Sequence, residues 1–446
     1  MRIEVVDTAD VVVAGGGPSG ICAALAAARL GSNVLLVERD ASLGGEATHF
    51  LPFGTFHTAS DRQIVEGIPE ELVEALVARG GSQGHLTMEG GWGAKIVPLD
   101  PEVFKSVVQD KLREAGARIL LNSLVVGVLS ESSGLCGVIV ANKGGLQVCL
   151  ASVVVDATGD GDVASFAGAR CEKGESGDGA MQPGTLMFRL RGVNEEGLSR
   201  SFPPLAPVYG PKLDTGREGR LHYAGDFQNW SEELQADGSP FPPELKFWAT
   251  SIREEELLVN AARVQNVDPT NPASVTEAEL AGRELVRTIC DFLRRHVEGF
   301  EGSYLQETAS HVGIREGRRI VGLYVLTEDD VLSGRKFHDG VARGAYGVDI
   351  HDESTLGGWS FQHITGGEGF YEIPYRCMIP VGIDNLLAAG RCISTTRGAL
   401  GSTRIMSTCM ALGEAAGSAA SLALGEGVKV RDIDPLLVRR HLGLLS

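Results

Sequence analysis

Residues 10–14 form a short apolar run, 18–30 an alanine-rich stretch, and 33–37 a second apolar run ending at Glu38. Short apolar runs bounded by Gly and Asn read as buried strands and the longer stretch as a helix, so the chain opens with a βαβ unit. Between residues 100 and 116, Val103, Val107, Val108 and Leu112 recur at helical spacing. Residues 118–121, 124–129, 137–141 and 146–150 then read as strands of a small meander, and 153–155 as a further, fully apolar strand. From 201 to 243 the pattern loses its period and fills with Pro, Gly and aromatic residues, as in the loops of a substrate domain. Leu280, Leu285, Ile289, Phe292 and Leu293 share one face of a helix predicted over 277–296. Residues 385–389 are an apolar strand closed by Gly390, and 405–424 a helix of small residues.

Strand-type segments at the beginning, middle and end, with no internal repeat, point to one discontinuous α/β domain carrying a large insertion. Composition narrows its partners. Glycine makes up 59 of 446 residues, against a usual share of about 7%, yet 43% hydrophobic residues and a mean hydropathy of +0.03 belong to a packed protein. With 40 Lys and Arg against 58 Asp and Glu the net charge is −18, so binding nucleic acid or an anionic membrane would oppose the field of the whole molecule. The uncharged run 11–28 is long enough for a membrane span, but Gly15, Gly16, Gly17 and Pro18 make its centre a turn. The acidic start lacks the basic flank of a signal peptide, and the expectation is a cytoplasmic protein acting on small molecules. Eight cysteines without a Cys-x-x-Cys or Cys/His cluster predict buried free thiols and no metal site.

Residues 15–20, Gly-Gly-Gly-Pro-Ser-Gly, fit G-x-G-x-x-G between a predicted strand and a predicted helix, with Glu38 following eighteen residues after Gly20. In that setting Gly15 permits the tight turn, Gly17 lets backbone approach a pyrophosphate, and Gly20 lets helix and strand pack closely. Pro18 and Ser19 open a helix whose free N–H groups and positive dipole end hold phosphate. Glu38 accepts hydrogen bonds from a ribose 2′-OH and repels a 2′-phosphate, selecting FAD or NAD over NADP. The bland alternative is a glycine-rich turn with no ligand.

Arg39, Gly44 and Gly45 follow Glu38; Ala157, Thr158 and Gly159 follow the central strand; Gly390 and Arg391 follow the last strand and lead to Gly401, Ser402 and Thr403. These three stretches, in this order, resemble flavoproteins of the glutathione-reductase-like superfamily. The resemblance implies that the first continues along FAD, the second returns to its adenosine side and the third approaches the flavin pyrimidine, with Val126 of the meander joining the FAD-binding set. Through residues 259–260, 313–322, 324–331, 349–352, 373–376 and 390–394, nearly the whole chain resembles the FAD-dependent oxidoreductase family. That implies a Rossmann-like, three-layer FAD-binding domain, with a central parallel sheet plus β-meander, over residues 1–60, 95–169 and 373–446, and an inserted α+β substrate or cap domain over 61–94 and 170–372. The chain lacks the Cys-x4-Cys of disulfide reductases and a second G-x-G-x-x-G for NAD(P)H. Gly390-Arg391 replaces the Gly-Asp that holds the ribityl chain in many flavoprotein hydroxylases.

Flavin chemistry needs a substrate against the ring, a group that handles the accompanying proton, and charges that fix the substrate. Arg315, Arg318 and Arg319 cluster after His311. Arg315 is the candidate clamp for a substrate carboxylate; the alternative is ion pairing with Glu316, Glu328, Asp329 or Asp330. Adjacent Arg318 and Arg319 cannot both face one pocket. His351 is the candidate acid or base near neutral pH, or else a loop histidine bonded to its neighbours. His49 and His57 are candidates to face the ring or to carry the flavin covalently. Arg397, Ser402, Thr403 and Arg404 flank the last helix, whose N-terminus would stabilise negative charge on the flavin. The expected function is hydride transfer between flavin N5 and a small hydroxylated or carboxylated metabolite, with an external electron donor or acceptor. An NAD-linked dehydrogenase and a flavin-carrying electron-transfer subunit or scaffold are the alternatives, and a homo-oligomer is left open.

Overall fold

The computed structural model describes residues 3–89, 95–131, 134–174, 179–202, 207–351 and 357–445. Strand β1 (Glu4–Ala14) leads into α1 (Pro18–Arg29) and β2 (Val34–Val37), and α2 (Pro101–Glu114) is followed by β3 (Arg118–Leu120), β4 (Leu124–Glu131), β5 (Gly134–Asn142) and β6 (Gly145–Asp156). Helix α2 starts where it does because the Asp100 side chain accepts the N–H groups of Glu102 and Val103, with Pro101 in the first position. A second sheet is then built from β7 (Gly184–Arg191), β8 (Val208–Pro211), β9 (Glu218–Gly225), β10 (Phe247–Thr250), β11 (Glu256–Val264) and, after α3 (Pro272–His296), β12 (Tyr304–Thr308). The chain returns through β13 (Val348–His351), β14 (Leu386–Ala388), α4 (Arg397–Thr403) and α5 (Met406–Glu426).

Strands β3, β2, β1 and β6 lie side by side and parallel, and β14 joins β6. Strands covered on both faces read as continuous apolar runs, and all four residues of β2 are buried. Two expectations are corrected here. Residues 146–150 and 153–155 belong to one twelve-residue strand, β6, whose first half pairs antiparallel with β5 and whose second half pairs parallel with β14. Residues 118–120 extend the parallel sheet beside β2 instead of opening the meander.

Helix α5 reads as a small-residue helix because it touches α1 backbone to backbone. A Cβ on Gly413 would lie 1.9 Å from the Ser19 carbonyl oxygen, and one on Gly417 2.0 Å from that of Ala23. The second sheet is antiparallel, in the order β8-β9-β10-β11-β7-β12, and Gly282 of α3 lies against Leu186 and Val264 of β7 and β11. Its core is aromatic, with Phe188, Phe202, Phe227, Phe247, Phe292 and Phe300 buried together. Residues 201–243, expected to be loops, contribute β8, β9 and the short helix Ser231–Asp237; Gly210, Gly219 and Gly225 interrupt the alternation that would have marked the strands.

Core membership also departs from the sequence boundaries. Ile64, Leu72, Val331, Phe337 and Tyr371 pack in the first core with Val13 and Ile21, so much of 61–94 and 326–372 shares the dinucleotide-type body. Loss of periodicity marks irregular chain; it does not say which core that chain covers. All eight cysteines are free. Among the described residues no helix is long and apolar enough to cross a membrane.

Candidate active site

At the end of β1 the chain turns sharply into α1. Gly15 has φ +102°, and a Cβ there would lie 2.4 Å from the Ala157 carbonyl oxygen; one on Gly20 would lie 1.8 Å from the Gly15 carbonyl oxygen. Gly17 is different. Its backbone is extended, and a Cβ would point into open space with nothing within 4 Å. That space is a cavity of about 800 Å³ whose wall includes Gly15, Gly17, Pro18, Ser19, Glu38, Arg39, Gly45, Ala157, Thr158, Gly159, Gly390 and Arg391. The Ser19 hydroxyl is buried without a hydrogen-bond partner in the first turn of α1, and Gly17 offers that turn no side-chain cap. Glu38 accepts the Gly16 N–H at 2.5 Å and the Asp40 N–H at 2.8 Å; burial raises its carboxyl and these donors pull it back. An open glycine cradle, an orphaned hydroxyl at a helix N-terminus and a carboxylate at the end of β2 fit the pyrophosphate and ribose of a dinucleotide.

The loop after β6 is shaped by Asp156, which is fully buried and accepts the Thr158 N–H and hydroxyl and the Ala164 N–H, at 3.1, 2.6 and 2.9 Å. Arg391 stitches that loop to the insertion. Its guanidinium donates to the Gly159 carbonyl at 3.0 Å, to Asp160 at 2.7 Å and to the Ile314 carbonyl.

Several sequence candidates lie away from the wall. Gly44 donates its N–H to Gly16 and has φ +124°, behind the cradle. Val126 faces outward, whereas Leu124 and Val125 line the cavity; the register of β4 against β5 shifts between Val125 and Gly127. Gly401, Ser402 and Thr403 are buried within α4, where the Ser402 hydroxyl meets the Tyr371 hydroxyl at 2.7 Å. The cavity is lined instead by Arg404, Ile405 and Met406, because the long helix α5 starts only at Met406 and Ile405 provides no side-chain cap. His57 packs edge-on against His85, 4.8 Å between ring centres, off the wall, whereas His49 lines it.

At the other end of the cavity lie Arg263, Arg315, Tyr346, Asp349, His351, Trp359 and Arg404. Arg315 donates to the Pro183 carbonyl at 2.8 Å and the Thr185 hydroxyl at 2.7 Å, and pairs with no carboxylate among the described residues. Burial, then the charges of Arg263 and Arg404, push its guanidinium down to about 9. Arg318 is engaged with Asp162 and the Asp160 carbonyl, and Arg319 with Glu316 at 2.9 Å; both are structural. Asp349 accepts from Arg404 at 2.7 Å and Trp359 Nε1 at 2.6 Å, and lies 3.5 Å from His351 Nε2. Although burial opposes ionisation, Arg404 and His351 hold its carboxyl well below the usual carboxylate range. His351 Nδ1 is buried without a partner, and burial followed by the charge of Arg315 pushes the imidazole down to about 3. Asp352 lies outside the described residues. Asp349 and Arg263 were not singled out from the sequence. Asp349 was legible in principle, two residues before His351 on β13, a spacing that puts both on one strand face.

These features define an α/β protein whose dinucleotide cradle opens directly onto a buried pocket rich in arginine. The chain belongs to the FAD dependent oxidoreductase family, whose model matches residues 10–442. FAD is therefore its cofactor, which corrects the NAD-linked alternative. Digeranylgeranylglycerophospholipid reductase 2 of Methanococcoides burtonii is 24% identical over 158 residues, 34% of this chain and 38% of the relative. Thiamine thiazole synthase of Methanococcus vannielii is 31% identical over 165 residues, 34% of this chain and 56% of the relative. The matches thus span about two fifths to just over half of these relatives' lengths. A geranylgeranyl bacteriochlorophyll reductase-like protein of Thermoplasma acidophilum shares the fold, with a TM-score of 0.52 at 14% identity over 98% of this chain and 83% of that one.

Proposed function

We propose that this enzyme moves a hydride between flavin and a small polar metabolite bearing a carboxylate or hydroxyl group, with Arg315 as the anion anchor and His351 as the group exchanging the accompanying proton. The observation that carries this reading is the single cavity joining Gly17, Ser19 and Glu38 to Arg315 and His351. When bound, FAD supplies the two-electron donor or acceptor. Glu38 would hold the adenosine ribose, the start of α1 the pyrophosphate, and the start of α5 the pyrimidine side. Arg315, facing the cavity without a carboxylate of its own, gains most from an anionic ligand. Asp349 is fixed by Arg404 and Trp359 and lies 3.5 Å from His351 Nε2, where it would orient the ring; the buried Nδ1, which has no protein partner, would exchange the substrate proton once a small ring movement turns it to the cavity. Burial is the main cause of the depression of His351 and Arg315 the next; a carboxylate seated on Arg315 would offset that second share. An external redox partner completes the cycle.

The test is an anaerobic screen of hydroxy and carboxylic acids for bleaching of the flavin absorbance, repeated with Arg315→Met. The reading expects bleaching by a carboxylate-bearing compound, with a much higher half-saturating concentration in the variant. Bleaching by a redox protein alone, and by no small molecule, would replace it with an electron-transfer role.

A further inference from the structure

Glu46, His49 and His311 come together on the cavity wall, although nothing in their spacing along the chain announces it. Glu46 and His49 sit on the single turn that follows Gly44 and Gly45; His311 comes from the loop after β12. One donor atom from each lies within 4.8 Å of the other two, so small side-chain rotations would bring all three onto one ion. The imidazoles meet edge to face with ring centres 4.2 Å apart.

Ser310 bridges the two imidazoles. Its hydroxyl oxygen lies 2.9 Å from His49 Nε2 and 3.1 Å from His311 Nδ1. In the arrangement where its two lone pairs accept an N–H from each ring, His49 Nδ1 and His311 Nε2 carry the free lone pairs. His49 Nδ1 is buried, makes no hydrogen bond and lies 3.6 Å from a Glu46 carboxylate oxygen. In that arrangement the hydroxyl would take the other ring N–H of each imidazole, the outer-shell contact that metal-ligating histidines require. The nearby Arg391 is paired with Asp160 at 2.7 Å, so the Glu46 carboxylate is not its direct ion-pair partner.

We propose that Glu46, His49 and His311 form a divalent-cation site of the zinc type, closed by protein on three sides and open to the cavity on the fourth. Two imidazoles and one carboxylate with an open position are the ligand set of catalytic zinc sites, where the fourth position takes water or a substrate oxygen. Such an ion would also tie the dinucleotide-type body to the inserted sheet. The proposal does not depend on the substrate reading above, and its test does not use turnover.

Flavin-loaded protein is treated with a chelator, dialysed against Zn²⁺ and assayed for metal per chain by plasma mass spectrometry, with affinity from calorimetry. One zinc per chain is expected in the wild type and in His338→Ala, whose side chain is 82% exposed and lies off the cavity wall. His49→Ala and His311→Ala should fall to background. Ser310→Ala should weaken binding by about 10–100-fold. His311→Cys should keep the metal and, loaded with Co²⁺, show a thiolate charge-transfer band that separates ligand loss from misfolding. The flavin spectrum and melting temperature of each variant report its fold. A wild type that binds no more zinc than folded His311→Ala, or zinc that survives in both alanine variants, would overturn the proposal and leave a hydrogen-bonded His–Ser–His network.

Discussion

Gly17→Val separates a cradle for the cofactor from a glycine needed by the backbone. Gly17 has φ −75° and ψ −175°, which any L residue adopts, and its Cβ direction is empty to 4 Å. The apoprotein should therefore fold with a stability change within about 0.5 kcal/mol. The valine methyl groups would occupy the space in front of the first turn of α1 and keep a pyrophosphate from its N–H groups. Losing two hydrogen bonds to a charged group, at about 1.5–3 kcal/mol each, removes about 3–6 kcal/mol. That is a fall in FAD affinity of about 10²–10⁴-fold. The assay is flavin retained after gel filtration, followed by titration of apoprotein with FAD, alongside apoprotein melting. Gly20→Ala is the contrast, because its Cβ would lie 1.8 Å from a carbonyl oxygen and should lower the melting temperature whether or not FAD is bound. A Gly17→Val protein that keeps its yellow colour, or whose apo form melts as early as Gly20→Ala, would refute the reasoning.

Three further outcomes are expected. Glu414, buried against Ile68 and close to Glu71, has its carboxyl pushed up from 4.5 to about 7, chiefly by burial. The folded state therefore holds this proton more tightly, stability falls as pH rises from about 4.5 to 7, and the loss is complete above 7 at up to about 3 kcal/mol. Glu414→Gln should be more stable than wild type at pH 8 and nearly equal at pH 4.5, by urea unfolding at both; equal stability at pH 8 would contradict this. Asp156→Ala strands the buried Ala164 N–H and frees the 157–162 loop, which should remove about 3–5 kcal/mol in chemical denaturation. Arg315→Lys keeps the charge but loses the planar guanidinium, whose Nη1 donates to both Thr185 and the Pro183 carbonyl and whose remaining N–H groups could grip a carboxylate bidentately, so flavin retention should be unchanged while the half-saturating substrate concentration rises at least tenfold.

The βαβ start was legible because an apolar run, a glycine turn and an uncharged helix each have one reading. Glu38 was legible because the cradle fixes its distance along the chain. Val126 was misplaced by one residue because the run from Leu124 to Val128 is apolar on both faces apart from Gly127, so its phase cannot be read. The start of α5, expected at residue 405, falls at Met406, whereas the separate short helix α4 before it was not read, because no Pro or Gly separates Thr403 from Met406. For the arginine cluster the ion-pair alternative named Glu316, which does hold Arg319, but not Asp162, which holds Arg318 and lies 156 residues earlier in the chain, where local spacing gives no sign of it. The Glu46–His49–His311 cluster joins residues from two bodies, and local spacing carries no signal for such a meeting.

Strand β6 has a consequence in time. Its second half is flanked on one side by β1, available from the start, and on the other by β14, about 230 residues later. At synthesis rates of about 5–20 residues per second, residues 154–156 wait roughly 10–50 s on the ribosome before their last neighbour emerges. During that interval an apolar strand edge stands open beside the future cofactor loop, the condition under which strands pair with the wrong chain. Chains stopped before Leu386 should therefore aggregate instead of accumulating as a smaller flavoprotein, and the yield of this enzyme should depend on holding that edge in check until β14 arrives.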